Sequence, residues 1–462
     1  MSQGQLAELW APPRRALVTG LVLTITVVAS ESLAVITVMP AVARDLGGLR
    51  LYGWAFSGFM LSSIVGIVAG GRETDKRGPA IPFITGLALF VAGLALAGLA
   101  PSMAILVLGR VLQGLGAGAV PSVAYASVGR SLPTPLRARM IAVLSTAWVL
   151  PGIFGPAVGA VIAHAFGWRW VFLGLLPVTA VAGLLAVPPL ARLGQPDFAA
   201  APEHRVSDAV QCSAGAAMTL AGLTLAVGTS NAWIAAALIA GGLAVAIPAL
   251  RRLVPAGTLT ARRGLPATVL SRGLLTFAFF GADSYVTLSI TAVRHHSTLV
   301  GGLAVTGATL AWTGGAWTQA RLGDTWEARR LIRTGLMVIL IGIVGMILEL
   351  QPDVPVAVGI VAWTVAGFGM GIANSPILLL VLRQAPPGRE GRESVSLNLA
   401  DVLGTAAGAG VGGAVVAASA TTDLQLGIAT AFGIAAVVAV MALITTRRLP
   451  TGTTGAPQQS LP

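Results

Sequence analysis

The sequence is poor in charge, in cysteine and in lysine. Asp, Glu, Lys and Arg together make up 10% of its 462 residues, whereas hydrophobic residues make up 55%. A soluble domain has about 25% charged residues, so this composition excludes a soluble globular protein. Cys212 is the only cysteine, which excludes an intrachain disulfide framework or a thiolate metal cluster. Lys76 is the only lysine, and arginine carries nearly all of the positive charge.

Several chemical motifs are also missing. The sequence has no G-x-x-x-x-G-K-[ST] loop, which argues against direct coupling to ATP. The histidines His164, His204, His295 and His296 are scattered or lie at a predicted membrane edge, and no catalytic constellation is present. We therefore expect no enzyme, no cofactor and no metal site. The net charge of +12 could indicate nucleic acid, but the basic residues do not cluster on one module.

The sequence does contain many apolar runs, each long enough to cross a bilayer. About 20 apolar residues in a helix span the hydrocarbon core. No small-residue cleavage site follows the first run, so we expect it to stay as the first helix. The pattern predicts an all-α membrane protein with fourteen transmembrane helices. The spans are 16–41, 53–71, 80–100, 102–127, 139–164, 169–190, 208–228, 232–250, 267–292, 299–319, 331–350, 355–382, 394–419 and 424–446.

The distribution of arginine predicts the orientation. If the N-terminus is cytoplasmic, the outer segments between spans hold only Arg44, Arg50, Arg169 and Arg294 as basic residues. Short cytoplasmic loops are enriched in Lys and Arg, so both termini are predicted to lie in the cytoplasm. A twelve-helix chain without the seventh and eighth spans would keep this orientation, and hydropathy favours fourteen.

An internal repeat divides the chain. The stretch "GRETDKRGPAIPFITG" after the second span aligns with "AWTQARLGDTWEARRLIRTG" after the tenth. Such repeats are typical of transporters. The predicted regions are a six-helix half over 1–192, a cytoplasmic linker with an inserted helix pair over 193–264, a second six-helix half over 265–450, and a disordered tail over 451–462.

Three stretches carry the candidate functional residues of the first half. In "GGRETDKRGP", an acid, two bases and a glycine at a tight turn can hold charges against helix ends of the other half and act as a gate; the alternative is an ordinary positive-inside turn. The gate residues are Gly71, Asp75, Lys76, Arg77 and Gly78.

In "LGRVLQGLGAGAVP", Arg110 and Gln113 share a face inside the fourth span, where a charge needs a cavity or a partner; the alternative is an arginine whose side chain extends to the membrane surface. On that span, Gly114 and Gly118 would let another backbone approach closely. In "WVLPGIFGPAVGAVI", Gly152, Gly155, Pro156 and Gly159 provide a smooth, bendable face or ordinary small-residue packing.

Acids and amides inside the spans fall at two depths. Glu31 lies nine residues before Pro40, roughly 14 Å below the outer helix end, and Arg110 comes out at roughly 12 Å. Asp283, on the ninth span, comes out at roughly 16 Å. Asn374 and Asp401 lie eight or nine residues from their cytoplasmic helix ends, and Asn398 precedes Asp401 by one turn.

These stretches resemble a known family. Residues 71–78, 108–118 and 152–160 resemble the motifs of the major facilitator superfamily on its second, fourth and fifth helices, and the last of these is associated with antiporters. Glu31, nine residues before Pro40, is similar to the first-helix motif of the fourteen-helix drug:proton antiporters, although Leu33, Ile36 and Pro151 depart from the motifs. The resemblance implies two six-helix repeats plus an inserted pair, with the first and fourth helices side by side. It therefore implies that Glu31 and Arg110 interact.

The resemblance also implies a function. We expect a monomeric, proton-driven exporter of drugs or other small lipophilic molecules in a bacterial plasma membrane, with lipid and protons as its other partners. Glu31 is predicted to carry the coupling proton, with Asp283 as a comparable site; the alternative for Glu31 is a static ion pair. Asp401 is predicted either to bind a proton or substrate or to contact the gate. A lipid or natural-product exporter, a proton-coupled importer and, less consistent with buried charges, a scaffold are the alternatives.

Overall fold

A computed structural model describes the chain as long helices joined by short turns. It describes residues 9–133, 136, 137, 140, 143, 144, 146–194, 204–226, 232–323, 325–386, 390–420 and 422–451. In this part of the chain, thirteen helices are long and apolar enough to cross a membrane, and Phe154–Phe166 forms a shorter apolar helix. The predicted all-α membrane fold is therefore confirmed, with a helix count close to fourteen. Most of the predicted tail 451–462, and residues 195–203 of the predicted linker, lie outside the described residues.

The helices are numbered here in chain order. The first six are α1 (Pro12–Leu46), α2 (Tyr52–Arg77), α3 (Ala80–Gly98), α4 (Met103–Ser131), α5 (Val149–Phe166) and α6 (Arg169–Ala191). Two more follow, α7 (His204–Ala226) and α8 (Ala232–Leu253). The last six are α9 (Leu265–Leu288), α10 (Thr298–Leu322), α11 (Ala328–Glu349), α12 (Val356–Gln384), α13 (Glu390–Ser419) and α14 (Leu424–Thr445). A π-helical turn, Ser289–Val293, extends α9.

Short polar caps set several helix ends. The Ser102 side chain accepts a hydrogen bond from the Ile105 amide at the start of α4, and Ser297 and Asp423 do the same for α10 and α14. These side chains satisfy amides that have no partner inside the first helical turn. At the other end of α2, Gly78 has φ +81°, a conformation that glycine adopts without strain.

The chain divides into two compact units, residues 1–213 and 214–462, with the boundary inside α7. In the first unit, α4 packs against α2 and α3, while α1 packs against α5 and α6. In the second unit, α12 packs against α10 and α11, while α9 packs against α13 and α14. Each pairing of the first unit therefore recurs eight helices later. This recurrence is what two six-helix repeats with two inserted helices would produce.

Glycines allow the central helices of each unit to approach closely. A methyl group at Gly114 or Gly118 of α4 would lie 2.1 Å from a backbone oxygen of α2. In the second unit, a methyl group at Gly371 of α12 would lie 2.1 Å from the carbonyl oxygen of Trp312 on α10. No side chain fits at such distances, so these backbones are in direct contact. The prediction that Gly114 and Gly118 permit close approach is confirmed.

Large apolar side chains remain exposed along many helices. Leu184 is 75% exposed and Trp317 is 69% exposed, and most of α8 is exposed in the same way. In water such a surface would drive association, whereas lipid tails solvate it well. The apolar surface therefore fits a protein whose helices face a bilayer.

Candidate functional site

A buried ion pair joins α1 to α4 in the first unit. Glu31, near the middle of α1, and Arg110, on α4, are 0% and 2% exposed. Their side chains form a salt bridge, so the predicted interaction is confirmed. The Arg110 Nη1 also donates to Gln113 Oε1 at 2.8 Å, and its Nε donates to the carbonyl of Ala55 on α2 at 2.9 Å. One guanidinium thus connects three helices.

Two buried polar atoms of this cluster, one on Glu31 and one on Gln113, do not form hydrogen bonds within the described residues. Within the described residues, Glu31 Oε2 and Gln113 Nε2 have no hydrogen-bond partner. The Arg110 guanidinium lies over the Phe59 ring, with its central carbon 4.2 Å from the ring centre, a cation–π contact. Buried charges with unfilled hydrogen bonds stabilise a fold poorly. Stability alone therefore does not explain the arrangement.

Neighbouring helices hold the two sides of this pair in place. A methyl group at Gly93 of α3 would lie 2.6 Å from Gln113, so the absence of a side chain there makes room for this amide. On the other side, a methyl group at Gly159 of α5 would lie 2.9 Å from the Ala34 side chain, one turn after Glu31. Small residues therefore bring α3 against α4 and α5 against α1.

The predicted motif of the fifth helix lies on this contact. A methyl group at Gly155 would be 3.5 Å from the Leu33 side chain, an ordinary contact distance. Gly152 and Pro156 are buried on the same helix, and the Gly152 amide donates to the carbonyl of Trp148 at 2.9 Å. The structure thus places Gly155 and Gly159 against α1, beside the residues that flank Glu31.

Asp283 lies in an aromatic environment in the second unit. It is 4% exposed on α9 and accepts a hydrogen bond from the Trp363 indole Nε1 at 2.7 Å. The Trp363 ring stacks on Phe279 with ring centres 5.1 Å apart, and Phe279 meets Trp312 edge to face. Asp283 is singled out in the sequence by its depth, and only the structure places these aromatic side chains beside it.

A second charged cluster lies on α9, α12 and α13. The Arg272 Nε is 2.8 Å from Asp401 Oδ1, and the Arg272 Nη1 donates to Asn374 Oδ1. Asn398, one turn before Asp401, is exposed. The structure therefore joins two of the predicted residues through an arginine that sequence reasoning missed. The sequence signal that could have identified it is its depth in the helix. Arg272 lies seven residues after Leu265, a depth similar to those of Asn374 and Asp401.

Backbone contact between α9 and α13 positions Asp401. A methyl group at Gly404 would lie 2.1 Å from the carbonyl oxygen of Gly273, the residue after Arg272. One turn on, the Thr276 hydroxyl donates to the Asp401 carbonyl at 3.0 Å. The acid and its arginine are therefore carried by two helices that are tightly fixed to each other.

The predicted gate residues lie at the end of α2. Asp75, Lys76 and Arg77 are exposed in the last turn, Gly71 has open space around it, and Gly78 ends the helix. Glu73, which the sequence argument did not single out, lies between two arginines. Its carboxylate is 3.3 Å from the Arg72 guanidinium and 3.1 Å from Arg77 Nε. The aligned repeat segment also ends its helix at the residue before a glycine, Leu322 before Gly323, but Gly323 has φ −61° where Gly78 has φ +81°. The role of this turn as a gate stays a prediction.

The sequence resembles known proteins over most of its length. Residues 20–409 match the family model of the Major Facilitator Superfamily. A probable multidrug-efflux transporter of Mycobacterium tuberculosis is 27% identical over 425 residues, which cover 87% of this chain and 88% of the relative. The drug efflux pump JefA of the same species is 28% identical over 381 residues, which cover 79% and 73%.

The fold also resembles that of solved structures. The xylose transporter XylE from E. coli, in a partially occluded inward-open conformation, aligns with a TM-score of 0.63 at 13% identity, covering 95% of this chain and 98% of that chain. This likeness concerns the fold alone. The family model covers well over half of the 462 residues, and the repeated helix pairings agree with it. The chain belongs to the Major Facilitator Superfamily of membrane transporters.

Proposed function

We propose that this protein is a proton-coupled exporter of small lipophilic molecules in the bacterial plasma membrane. It works as a monomer by alternating access, with both termini in the cytoplasm. The observation that carries the proposal is the Glu31–Arg110–Gln113 cluster, a buried ion pair whose second carboxylate oxygen has no partner within the described residues. The relatives named as efflux transporters support export.

The cluster offers a simple coupling step. A proton that binds Glu31 Oε2 neutralises the carboxylate while the Arg110 charge remains. Arg110 then keeps its hydrogen bonds to Gln113 and to the Ala55 carbonyl. Its attraction to α1 weakens, because the Glu31 carboxylate is no longer negatively charged. Since a ligand shifts a conformational equilibrium by its differential affinity for the two states, proton binding changes how strongly α1 is held to α4. Asp283 and Asp401 are proposed as further proton-coupling acids.

The proton step is tested in proteoliposomes with an imposed pH gradient and a fluorescent lipophilic dye. Glu31→Gln keeps the size of the side chain and removes its titration, so proton-driven transport should be lost. The matched control is Asp45→Asn, which alters an exposed acid on the same helix, paired with Arg169. Transport by Glu31→Gln at the wild-type rate would contradict the assignment of the proton to Glu31.

The direction of transport needs a separate measurement in cells. An exporter lowers dye accumulation relative to cells that lack the protein, and a protonophore removes the difference. An importer would raise accumulation instead. Equal accumulation with and without the protonophore, for every lipophilic compound tried, would count against proton-driven export.

A further inference from the structure

An acid outside the clusters described above lies where α9 and α11 finish and α12 begins. Glu349, the last residue of α11, is 0% exposed, and neither of its carboxylate oxygens accepts a hydrogen bond from the described residues. The nearest cationic group is Arg294, with its Nε 3.6 Å from Glu349 Oε1, beyond hydrogen-bonding distance. A buried ionised carboxylate without hydrogen bonds is costly. Its presence here needs a reason.

The Glu349 side chain fills a space that a glycine on the neighbouring helix leaves open. A methyl group at Gly359 of α12 would lie 2.6 Å from Glu349 Cγ and 3.2 Å from its carboxyl carbon. The side chain therefore occupies room that exists because α12 has a glycine at this point. The acid is enclosed between two tightly packed helices rather than placed at a loose helix end.

Arg294 connects this acid to the end of α9. It follows the π-helical turn Ser289–Val293, and its amide donates to the Ser289 carbonyl at 3.0 Å. Its Nη2 donates to the carbonyls of Pro352 and Val354, at 3.2 and 2.6 Å, in the turn between α11 and α12. Single π turns inside helices are rare and frequently mark functional sites. Arg294 thus holds the end of the helix that carries both Arg272 and Asp283.

We propose that Glu349 is a further proton-binding site and that its proton controls how firmly Arg294 holds the end of α9. When Glu349 is ionised, Arg294 is held by the carboxylate charge and by two carbonyls. When Glu349 takes up a proton, only the two carbonyl bonds remain, and the π turn opens more readily. This inference goes beyond the proposed function, because it involves neither Glu31 nor Arg110 and does not depend on the substrate or the direction of transport.

Other titratable groups lie at the same end of the second unit and enter the test. Arg294 faces Glu349 from the end of α9, and His295 and His296 follow it as exposed residues. Asp353, in the turn before α12, is exposed. Asp423, at the start of α14, which packs against α11, accepts a hydrogen bond from the Leu426 amide. A response to pH at this end must therefore be assigned by substitution.

Hydrogen–deuterium exchange of the full-length protein in lipid nanodiscs tests the proposal. Exchange is compared at about pH 5.5 and about pH 8, with labelling times scaled for the intrinsic pH dependence of amide exchange. In the wild type, local opening of residues 289–297 should rise at least about fivefold at the lower pH, because even an exposed charge contact contributes up to about a factor of five and this one is largely buried. Glu349→Gln should open to the higher level at both pH values.

Two further variants complete the experiment. Asp353→Asn removes an exposed acid four residues after Glu349 and should keep the wild-type response. Arg294→Gln removes the other partner and should abolish the response, which keeps the proposal testable if Glu349→Gln does not fold. A pH response that survives in Glu349→Gln would come from another of the groups named above and would overturn the proposal. A response that survives in Arg294→Gln would show that it does not act through Arg294 and would overturn the proposal as well. None of these outcomes depends on transport, so they are independent of the test of Glu31.

Discussion

Arg110 in the first unit and Arg272 in the second each hold a carboxylate and a carboxamide, but the two clusters differ in exposure. The side chains of Arg110 and Glu31 are 2% and 0% exposed, whereas those of Arg272 and Asp401 are 15% and 26% exposed. Removing a charge from water costs several kcal/mol, and a partner only partly offsets that cost. The same chemical groups should therefore depend on each other far more strongly in the first unit than in the second.

The clusters also connect their helices differently. In the first unit the carboxamide, Gln113, lies on the same helix as its arginine. In the second unit Asn374 lies on α12 and Asp401 on α13, so that Arg272 joins three helices through side chains alone. Water reaches this second cluster more readily. Water can therefore hydrate the Arg272 cluster as it stands, whereas the Glu31 side chain is enclosed by its surroundings.

The largest effect should come from breaking the buried pair on one side only. Glu31→Leu leaves Arg110 buried without its counter-ion, and we expect a loss of about 3–5 kcal/mol in stability. The double variant Glu31→Leu with Arg110→Met removes both charges and should recover most of that loss while remaining inactive in proton-driven transport. Thermal unfolding of the detergent-solubilised protein measures the difference. A double variant as unstable as the single one would show that the ion pair is not what the stability depends on.

Crowding the helix contact beside each cluster should have the next largest effect. An added methyl group would lie 2.1 Å from a backbone oxygen at Gly114, near the Arg110 cluster, and at Gly404, near the Arg272 cluster. We expect each change to alanine to cost about 1–3 kcal/mol, the range for overpacking. The control is Gly433→Ala on α14, where nothing lies within 4 Å; it should be neutral or slightly stabilising, since alanine favours helix. Equal thermal stability of all three variants would contradict the close packing.

The partly exposed cluster should respond less than the buried one. Asp401→Asn removes the charge opposite Arg272, and we expect a loss of about 1 kcal/mol or less, because water compensates the remaining charge. The charge-swapped pair Arg272→Asp with Asp401→Arg should recover part of the loss. Salt should weaken the wild-type interaction here more than at Glu31, since exposed charges are screened. A loss as large as that of Glu31→Leu would show that exposure does not separate the two clusters.

The sequence was a good guide where a property depends on one helix at a time. Hydropathy located the spans, and depth along the helix placed Glu31 and Arg110 at one level, where the structure brings them together. Glycine spacing indicated where α4 approaches another backbone, and Gly114 does so against α2. These inferences follow from a constant rise per residue and from the size of side chains.

Contacts that depend on the register between helices were harder to predict. The depth of Arg272 can be calculated from the sequence and is similar to that of Asp401, but its contact with Asp401 depends on how α9 faces α13. Nothing in the sequence indicates that Glu349, at a helix end, is buried, since its burial depends on how α12 places Gly359 against it. The hydrogen bond from the Trp363 indole to Asp283 likewise depends on how α12 is oriented about its axis relative to α9. Hydropathy does not determine this orientation.

The smallest effect is expected at the most exposed of the three ion pairs compared here, that of Asp45 with Arg169. Asp45 and Arg169 are 49% and 42% exposed with 2.7 Å between their charged atoms, and Asp45 also accepts a hydrogen bond from the Trp168 indole at 2.9 Å. We expect Asp45→Asn to lower stability less than Asp401→Asn does and the loss to shrink further in high salt, because both charges are already hydrated. Thermal unfolding at low and high salt measures both effects. This pair has good contact geometry but the lowest burial of the three ion pairs. If Asp45→Asn lost as much stability as Glu31→Leu, contact geometry rather than removal from water would determine the strength of these pairs.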